Sequence, residues 1–174
     1  MTALKHTLAV LAVAVVAVLG SAHADNGNDP CWIVRGKIPG TPQRIYFNLT
    51  EFAYEQWGIT RDNKVWFQAH ICGYTTSMNC SKDSSVCLRI GDKFYNAGNY
   101  RSRKAEVIDG WHGVKISMTG TDTCPEGCRC RSKFIFYCDA SKTGTKYECK
   151  YEKDDCLLSC KIHSKYACME RGDP

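Results

Sequence analysis

An all-β domain stapled by disulfides, built as two packed sheets or a flattened barrel, is the fold this sequence predicts. Three observations lead there. Short segments alternate apolar and polar residues with the period of a strand, and turn residues separate them. No stretch keeps a helical period over ten residues. Twelve cysteines, an even number, follow a secretory leader, as in a disulfide framework.

The leader is read from Met1 to Ala24. Lys5 and His6 form a charged entry, Leu8 to Leu19 is apolar without a break, and Ala22-His23-Ala24 supplies the small residues a signal peptidase requires. The apolar run is shorter than the ~20 residues a bilayer span needs, and no second one follows. Residues 25–174, with a core over 31–168, are therefore expected to form one domain with no membrane span of its own. The last residues, Met169 to Pro174, carry neither a retention nor a lipidation signal. Secretion, or residence in the lumen of the secretory or endolysosomal route, is the expected location.

Cysteine spacing bears on chemistry. Eight of the twelve cysteines fall between Cys124 and Cys168, densest in Cys124-Pro-Glu-Gly-Cys128-Arg-Cys130. No Cys-x-x-Cys pair occurs, and an oxidising lumen favours disulfides over thiolate ligands, so no metal or other cofactor is expected. The formal charge is +5, or +4 once Lys5 leaves with the leader. That excess gathers in two knots, Arg101-Arg103-Lys104 and Arg129-Arg131-Lys133. Both read first as solvated faces. Nucleic acid is not an expected partner of a secreted chain, whereas an acidic ligand stays open.

Taken in order, Cys31 to Val34 starts the domain and Gly36 to Pro42 marks loops. Ile45 to Leu49 is β-prone, Asn48-Leu49-Thr50 is a glycosylation acceptor, and Glu51 to Trp57 suits a short helical turn. From Val65 to Ile71, Val65, Phe67, Ala69 and Ile71 point one way. Trp66, Gln68 and His70 point to a wetter face, where His70 reads as an ordinary surface histidine. Asn79-Cys80-Ser81 is a second formal acceptor in competition with a disulfide at Cys80, for which Cys87 is the natural local partner.

Gly91-Asp92 between Leu88-Arg89-Ile90 and Lys93-Phe94-Tyr95 signals a hairpin. Asn96-Ala97-Gly98-Asn99 and Asp109-Gly110 read as turns. Val114, Ile116 and Met118 alternate with Lys115 and Ser117, with Met118 as core filling. Lys133 to Cys138 is apolar on both sides and reads as a central strand covered on both faces. Tyr147, Cys149 and Tyr151 alternate with Glu148, Lys150 and Glu152. No nucleophile elbow, no His-Glu-x-x-His and no other catalytic signature is present, and Asp154 and Asp155 sit in a charged loop suited to solubility, so an enzyme is not expected.

Several of these signals together resemble the mannose 6-phosphate receptor homology domain, a lectin module. The carriers are Ile71-Cys72-Gly73, Cys80, Ser85-Val86-Cys87, the Asn96-Ala97-Gly98 turn, and Val114 to Met118 running through Thr119-Gly120 into Cys124. Arg131 leading to Cys138, and Cys156 followed by Ser164, Ala167 and Cys168, complete them. In the closing block the family's usual aromatic positions hold Leu158, Cys160 and Ile162. The resemblance covers Cys31 to Cys168 and implies a flattened β-barrel of two sheets. It also implies the bridges Cys31–Cys72, Cys80–Cys87, Cys124–Cys156 and Cys138–Cys168, leaving Cys128, Cys130, Cys149 and Cys160 for up to two more.

The family holds mannose with a glutamine, an arginine, a glutamate and a tyrosine, which supply fixed hydrogen-bonding groups and a flat ring. Transferred position by position, the glutamine is Leu88. The arginine is Arg131, although the family's usual arginine stands one place upstream, at Cys130. The glutamate is Glu148. Counting forward from Cys156 puts the tyrosine at Leu158, while a rival register puts it at Tyr151 and loses the glutamate's spacing. Arg131, Glu148 and Tyr151 are thus the candidate glycan ligands. The implied function is binding of mannose-type N-glycans on glycoproteins, for sorting or quality control, with a degenerate sugar site. The alternative is a secreted domain for protein contact, without lectin activity, using the basic knots and exposed aromatics such as Trp111.

Overall fold

A computed structural model describes residues 31–37, 44–62, 64–76, 79–108, 112–142 and 146–172. The leader, the loop at Pro39 to Pro42, the Asp109-Gly110 turn and Trp111 lie outside the described residues. Strands dominate: β1 (Trp32–Lys37), β2 (Arg44–Asn48), β3 (Gln56–Ile59), β4 (Val65–Ala69), β5 (Ser84–Ile90), β6 (Lys93–Asn99), β7 (Lys104–Val107), β8 (Gly113–Thr123), β9 (Arg129–Cys138), β10 (Lys146–Glu152), β11 (Leu157–Ser164) and β12 (Met169–Gly172). The helical turn expected over Glu51 to Trp57 is a single 3-10 turn at Thr50–Phe52, and Gln56 and Trp57 already belong to β3. No helix among the described residues is long and apolar enough to cross a membrane.

Three sheets form. A four-stranded antiparallel sheet runs β3-β4-β5-β6, a five-stranded sheet runs β10-β11-β9-β8-β7, and β1-β2-β12 make a smaller third. In the five-stranded sheet β11 runs parallel to β9, and the other pairs are antiparallel. Between the two larger sheets lies one core. Phe67 and Leu88 come from the four-stranded sheet, and Ile116, Phe134, Phe136, Leu158 and Ile162 from the other. Phe52, from the 3-10 turn, packs on Phe136 with ring centroids 4.8 Å apart. Each such ring removed from water contributes about 1.5–3 kcal/mol.

The layers meet closely where β6 crosses β8. A Cβ at Gly120 would run into the Asn96 carbonyl, so only glycine lets the two backbones touch there. That contact also corrects one expectation. Asn96-Ala97-Gly98 is not a turn but the continuation of β6, with a register irregularity opposite Val86. The chain turns later, at Tyr100–Ser102, where Asn99 Oδ1 accepts the Arg101 N–H at 2.9 Å. The Gly91-Asp92 hairpin forms, with Gly91 at φ 61°.

Two more expectations change. β9 is central, but only its inner face is covered: Phe134 and Phe136 are buried, while Ile135 and Tyr137 on the outer face are half-buried. An all-apolar run therefore does not imply two covered faces here, because aromatic and aliphatic side chains also serve as a half-wet surface. Gln68 is fully buried instead of facing water, and its Nε2 donates at 2.6 Å to Oε2 of Glu55, the residue just before β3.

Six disulfides use all twelve cysteines. Cys31 joins Cys72, Cys80 joins Cys87, and Cys138 joins Cys168. The bridge Cys124–Cys156 does not form. Cys124 pairs with Cys130 and Cys128 with Cys156. The reason is the tight β8–β9 turn: Cys124 donates its N–H to the Cys128 carbonyl at 2.9 Å, and the Cys124 and Cys130 Cα atoms face each other 5.2 Å apart. Cys128, at the tip of the turn, is left beside Cys156, Cα to Cα 5.9 Å. Cys149 and Cys160, direct cross-strand neighbours on β10 and β11, form the sixth. A fully paired set of this density is the pattern of an extracellular or secretory-lumen protein.

Candidate functional site

Strand alternation decides where the candidate glycan ligands stand. On β9, β11 and β10, Arg131, Leu157 and Glu152 are register partners, as are Ser132, Leu158 and Tyr151. Arg131 and Glu148 consequently share the outer face of the sheet, and Tyr151 points into the core. Glu148 is also four residues along β10 from the position level with Arg131, a separation of about 13 Å along the strand at ~3.3 Å per residue. The three do not converge. A reading along one chain counts residues between cysteines but cannot see which face each ends on.

Each has a local role. Arg131 Nη2 donates to the Asp155 carbonyl at 2.9 Å and lies 3.8 Å from the Asp155 carboxylate, tying β9 to the β10–β11 connection. Glu148 is exposed, opposite Lys161. Tyr151 donates its hydroxyl to Glu126 Oε2 at 2.8 Å; burial first and Glu126 second push its ionisation above the ordinary tyrosine range.

Three of the positions to which the resemblance carries the family's polar ligands, those of the glutamine, the usual arginine and the tyrosine counted from Cys156, are apolar here. Leu88, Cys130 and Leu158 are fully buried in the common core, and Cys130 is bonded to Cys124. A sugar hydroxyl brought against two leucines and a disulfide would lose its water without gaining a partner, at about 1–3 kcal/mol for each group left unsatisfied. Nearby, Cys124, Glu126 and Cys156 come within 4.8 Å of one another, but both sulfurs are held in disulfides and so are not thiolate ligands.

The most conspicuous surface is the outer face of the four-stranded sheet, which sequence reading missed. Its registered rows are Trp57–Gln68–Cys87–Asn96 and Ile59–Trp66–Arg89–Phe94. The β5–β6 end of the first row is covered: Cys87 is bridged to Cys80, and Asn96 Nδ2 donates to Ser81 Oγ at 2.7 Å. The β3–β4 end is open. Trp57 is 56% and Trp66 52% exposed, with Ile59 beside them, and Tyr54 and Tyr74 flank the strands. Beneath them runs a polar seam in which Glu55 accepts from Gln68 Nε2 and from Thr76 Oγ1, the latter at 2.8 Å. His70, at the end of this face, meets the Tyr74 carbonyl through Nδ1 at 2.8 Å, a structural contact. The alternation at Trp66 was a signal for this face. Trp57, one row away on β3, was absorbed into an expected helical turn, so the two indoles were not placed on one surface.

Solved structures share this architecture. Domain 11 of chicken IGF2R superposes with a TM-score of 0.61 at 21% identity, over 79% of this chain and 90% of that one. Domain 11 of the echidna mannose 6-phosphate/IGF2R receptor gives 0.58 at 19% identity, over 81% and 96%. The fold is that of a mannose 6-phosphate receptor domain. No family model and no curated protein matches the sequence. The receptor-type fold agrees with the flattened, two-sheet architecture read from the sequence, at an identity low enough that it speaks for the fold alone.

Proposed function

We propose that this chain is a non-catalytic recognition module of the secretory route or the extracellular space. It engages a partner protein through the outer face of its four-stranded sheet, and does not hold mannose inside its barrel. The observation that carries the reading is that Trp57, Ile59 and Trp66, on adjacent rows of β3 and β4, stand exposed together on one face, with exposed Tyr54 just before β3, whereas Tyr74 packs instead on Tyr100 with ring centroids 5.3 Å apart. Contiguous exposed aromatics on a protein of this size mark an interaction surface, and tryptophan and tyrosine are the residues that most often dominate such contacts. The filling of the interior by Leu88, Cys130 and Leu158 supports the same reading from the other side.

A second reading has an observation of its own. The Glu55–Gln68–Thr76 seam beside two exposed indoles offers fixed hydrogen-bonding groups next to flat rings, the combination a sugar requires. In that case the partner's N-glycan would be what is held.

The test is a glycan array and a secretory-pathway glycoprotein panel, each probed with the oxidised domain, the Trp57→Ala/Trp66→Ala variant and Arg131→Ala. Protein binding lost in the tryptophan variant and indifferent to free mannose supports the first reading. Array binding competed by mannose and lost in the tryptophan variant transfers the surface to the glycan reading. Binding abolished by Arg131→Ala alone would overturn both and return the site to the outer face of the other sheet.

A further inference from the structure

The two basic knots of the sequence read first as solvated faces, with an acidic ligand left open. The register of the five-stranded sheet brings them together. Lys104 on β7 is the partner of Ser117 on β8, which is the partner of Lys133 on β9; Lys133 pairs with Ser159 on β11, and Ser159 with Lys150 on β10. One row of cross-strand neighbours therefore reads Lys-Ser-Lys-Ser-Lys across the outer face. With strands about 4.8 Å apart, successive lysines stand about 10 Å from each other and the row is about 19 Å long. Lys115 and Lys161 flank it on one side and Arg131 on the other. Against these six cations the same described rows hold three carboxylates, Glu106, Glu148 and Glu152.

We infer that this face binds a linear, sulfated glycan. The face is an open sheet, so a small anion would find no enclosure on it, whereas a chain lying along the row would meet a cation at every second strand. Part of the charge is engaged: Lys115 meets Glu106 at 2.5 Å, Lys150 meets Glu152 at 2.9 Å, and Arg131 is tied to Asp155. Such exposed pairs are weak and exchange readily with a competing polyanion. Lys133 at the centre of the row and Lys104 at its β7 end form no ion pair within 4.0 Å among the described residues. Lysine is a compact point charge, suited to a sulfate whose position along a flexible chain varies. Of the two serines between the lysines, Ser117 is half-buried and carries a hydroxyl that can donate to a sulfate oxygen, while Ser159 is buried and serves only as a small spacer. Among extended anions, sulfated glycans are those a disulfide-bonded domain of the extracellular type meets most directly. The lysine row lies on the opposite sheet from the proposed partner face, and binding there does not depend on that face.

The experiment is retention of the oxidised domain on immobilised heparin, with elution salt and affinity for a heparin oligosaccharide measured for three forms. These are wild type, Lys104→Gln/Lys133→Gln, and a control of equal charge change at the other sheet, Lys64→Gln just before β4 with Lys93→Gln at the start of β6. Wild type is expected to be retained at about 0.15 M salt. The Lys104/Lys133 variant is expected to bind at least about tenfold more weakly, with the salt slope reduced by roughly one for each lysine removed, and the control to change less than about twofold. Failure of wild type to be retained, or equal losses in both variants, would overturn the inference. Hyaluronan and duplex DNA complete the panel: binding to either as tight as to heparin would overturn the assignment to a sulfated chain.

Discussion

The hydroxyl of Tyr151, on β10, donates to Glu126 Oε2 in the β8–β9 turn at 2.8 Å, so a residue of one hairpin holds the tip of another. The bond also sets a pH dependence. Burial and Glu126 raise the Tyr151 ionisation, and burial alone raises that of Tyr147. An unfolded tyrosine ionises near pH ~10. The stabilisation from both residues is thus fully present below about pH 10 and is lost as pH rises above it, because the unfolded chain then gives up protons the folded one keeps. Urea unfolding at a series of pH values should show stability falling above about pH 10, less steeply in Tyr147→Phe/Tyr151→Phe. Tyr151→Phe alone should cost about 1 kcal/mol at neutral pH. An equal alkaline slope in the double variant would refute the assignment.

Gly120 is where β8 touches β6. Gly120→Ala would drive a Cβ into the Asn96 carbonyl, and backbone atoms cannot rotate aside as a side chain can. A loss of about 1–3 kcal/mol or more is expected. Gly91→Ala is the comparison, since nothing lies within 4 Å of a Cβ there and only the φ of 61° opposes it. Melting temperatures of the two variants should rank with Gly120→Ala lower, and the reverse order would mean that the layers do not meet at this point.

Non-reducing digestion and mass spectrometry should recover Cys124 linked to Cys130 and Cys128 linked to Cys156. A Cys124–Cys156 peptide would restore the pairing implied by the resemblance. Removing Cys149–Cys160 by Cys149→Ala/Cys160→Ala should cost about 2–4 kcal/mol, measured by denaturant unfolding.

Asn48 ends β2 half-buried, and its Oδ1 accepts from the Thr50 hydroxyl at 2.6 Å and from the Thr50 N–H at 3.1 Å. Expressed in a glycosylating host, the chain is expected to carry a glycan at Asn48, seen as a mass loss on enzymatic deglycosylation that Asn48→Gln abolishes. Asn79 is followed by Cys80, which is bridged to Cys87, so its acceptor should stay empty.

Much of the fold was legible from residue order. Val65, Phe67 and Ala69 turn inward and Trp66 outward, as their alternation requires, and Gly91-Asp92 makes the hairpin it signals. These are local properties of a chain whose side chains alternate with a period of two. The Asn96-Gly98 segment failed for the opposite reason: its small residues serve a crossing with β8, a neighbour distant in sequence.

The candidate site was less legible. Arg131, Glu148 and Tyr151 were chosen by their distances from cysteines, and distance along the chain does not say which face of which sheet a residue reaches.

Taken by itself, the sequence determined a β-rich, disulfide-bonded domain and the place of strands such as β2, β4 and β10, because propensity, alternation and turn chemistry act between near neighbours. β3 fell inside an expected helical turn, and β7, β11 and β12 were not read as strands. Only the tertiary structure decided how Cys124, Cys128, Cys130, Cys149, Cys156 and Cys160 pair, that Gln68 is buried, that Trp57 and Trp66 share a surface, and that Lys104, Lys133 and Lys150 form one row. Each of these depends on strand order and register, and a shift of one residue in register would send every one of those side chains to the other face.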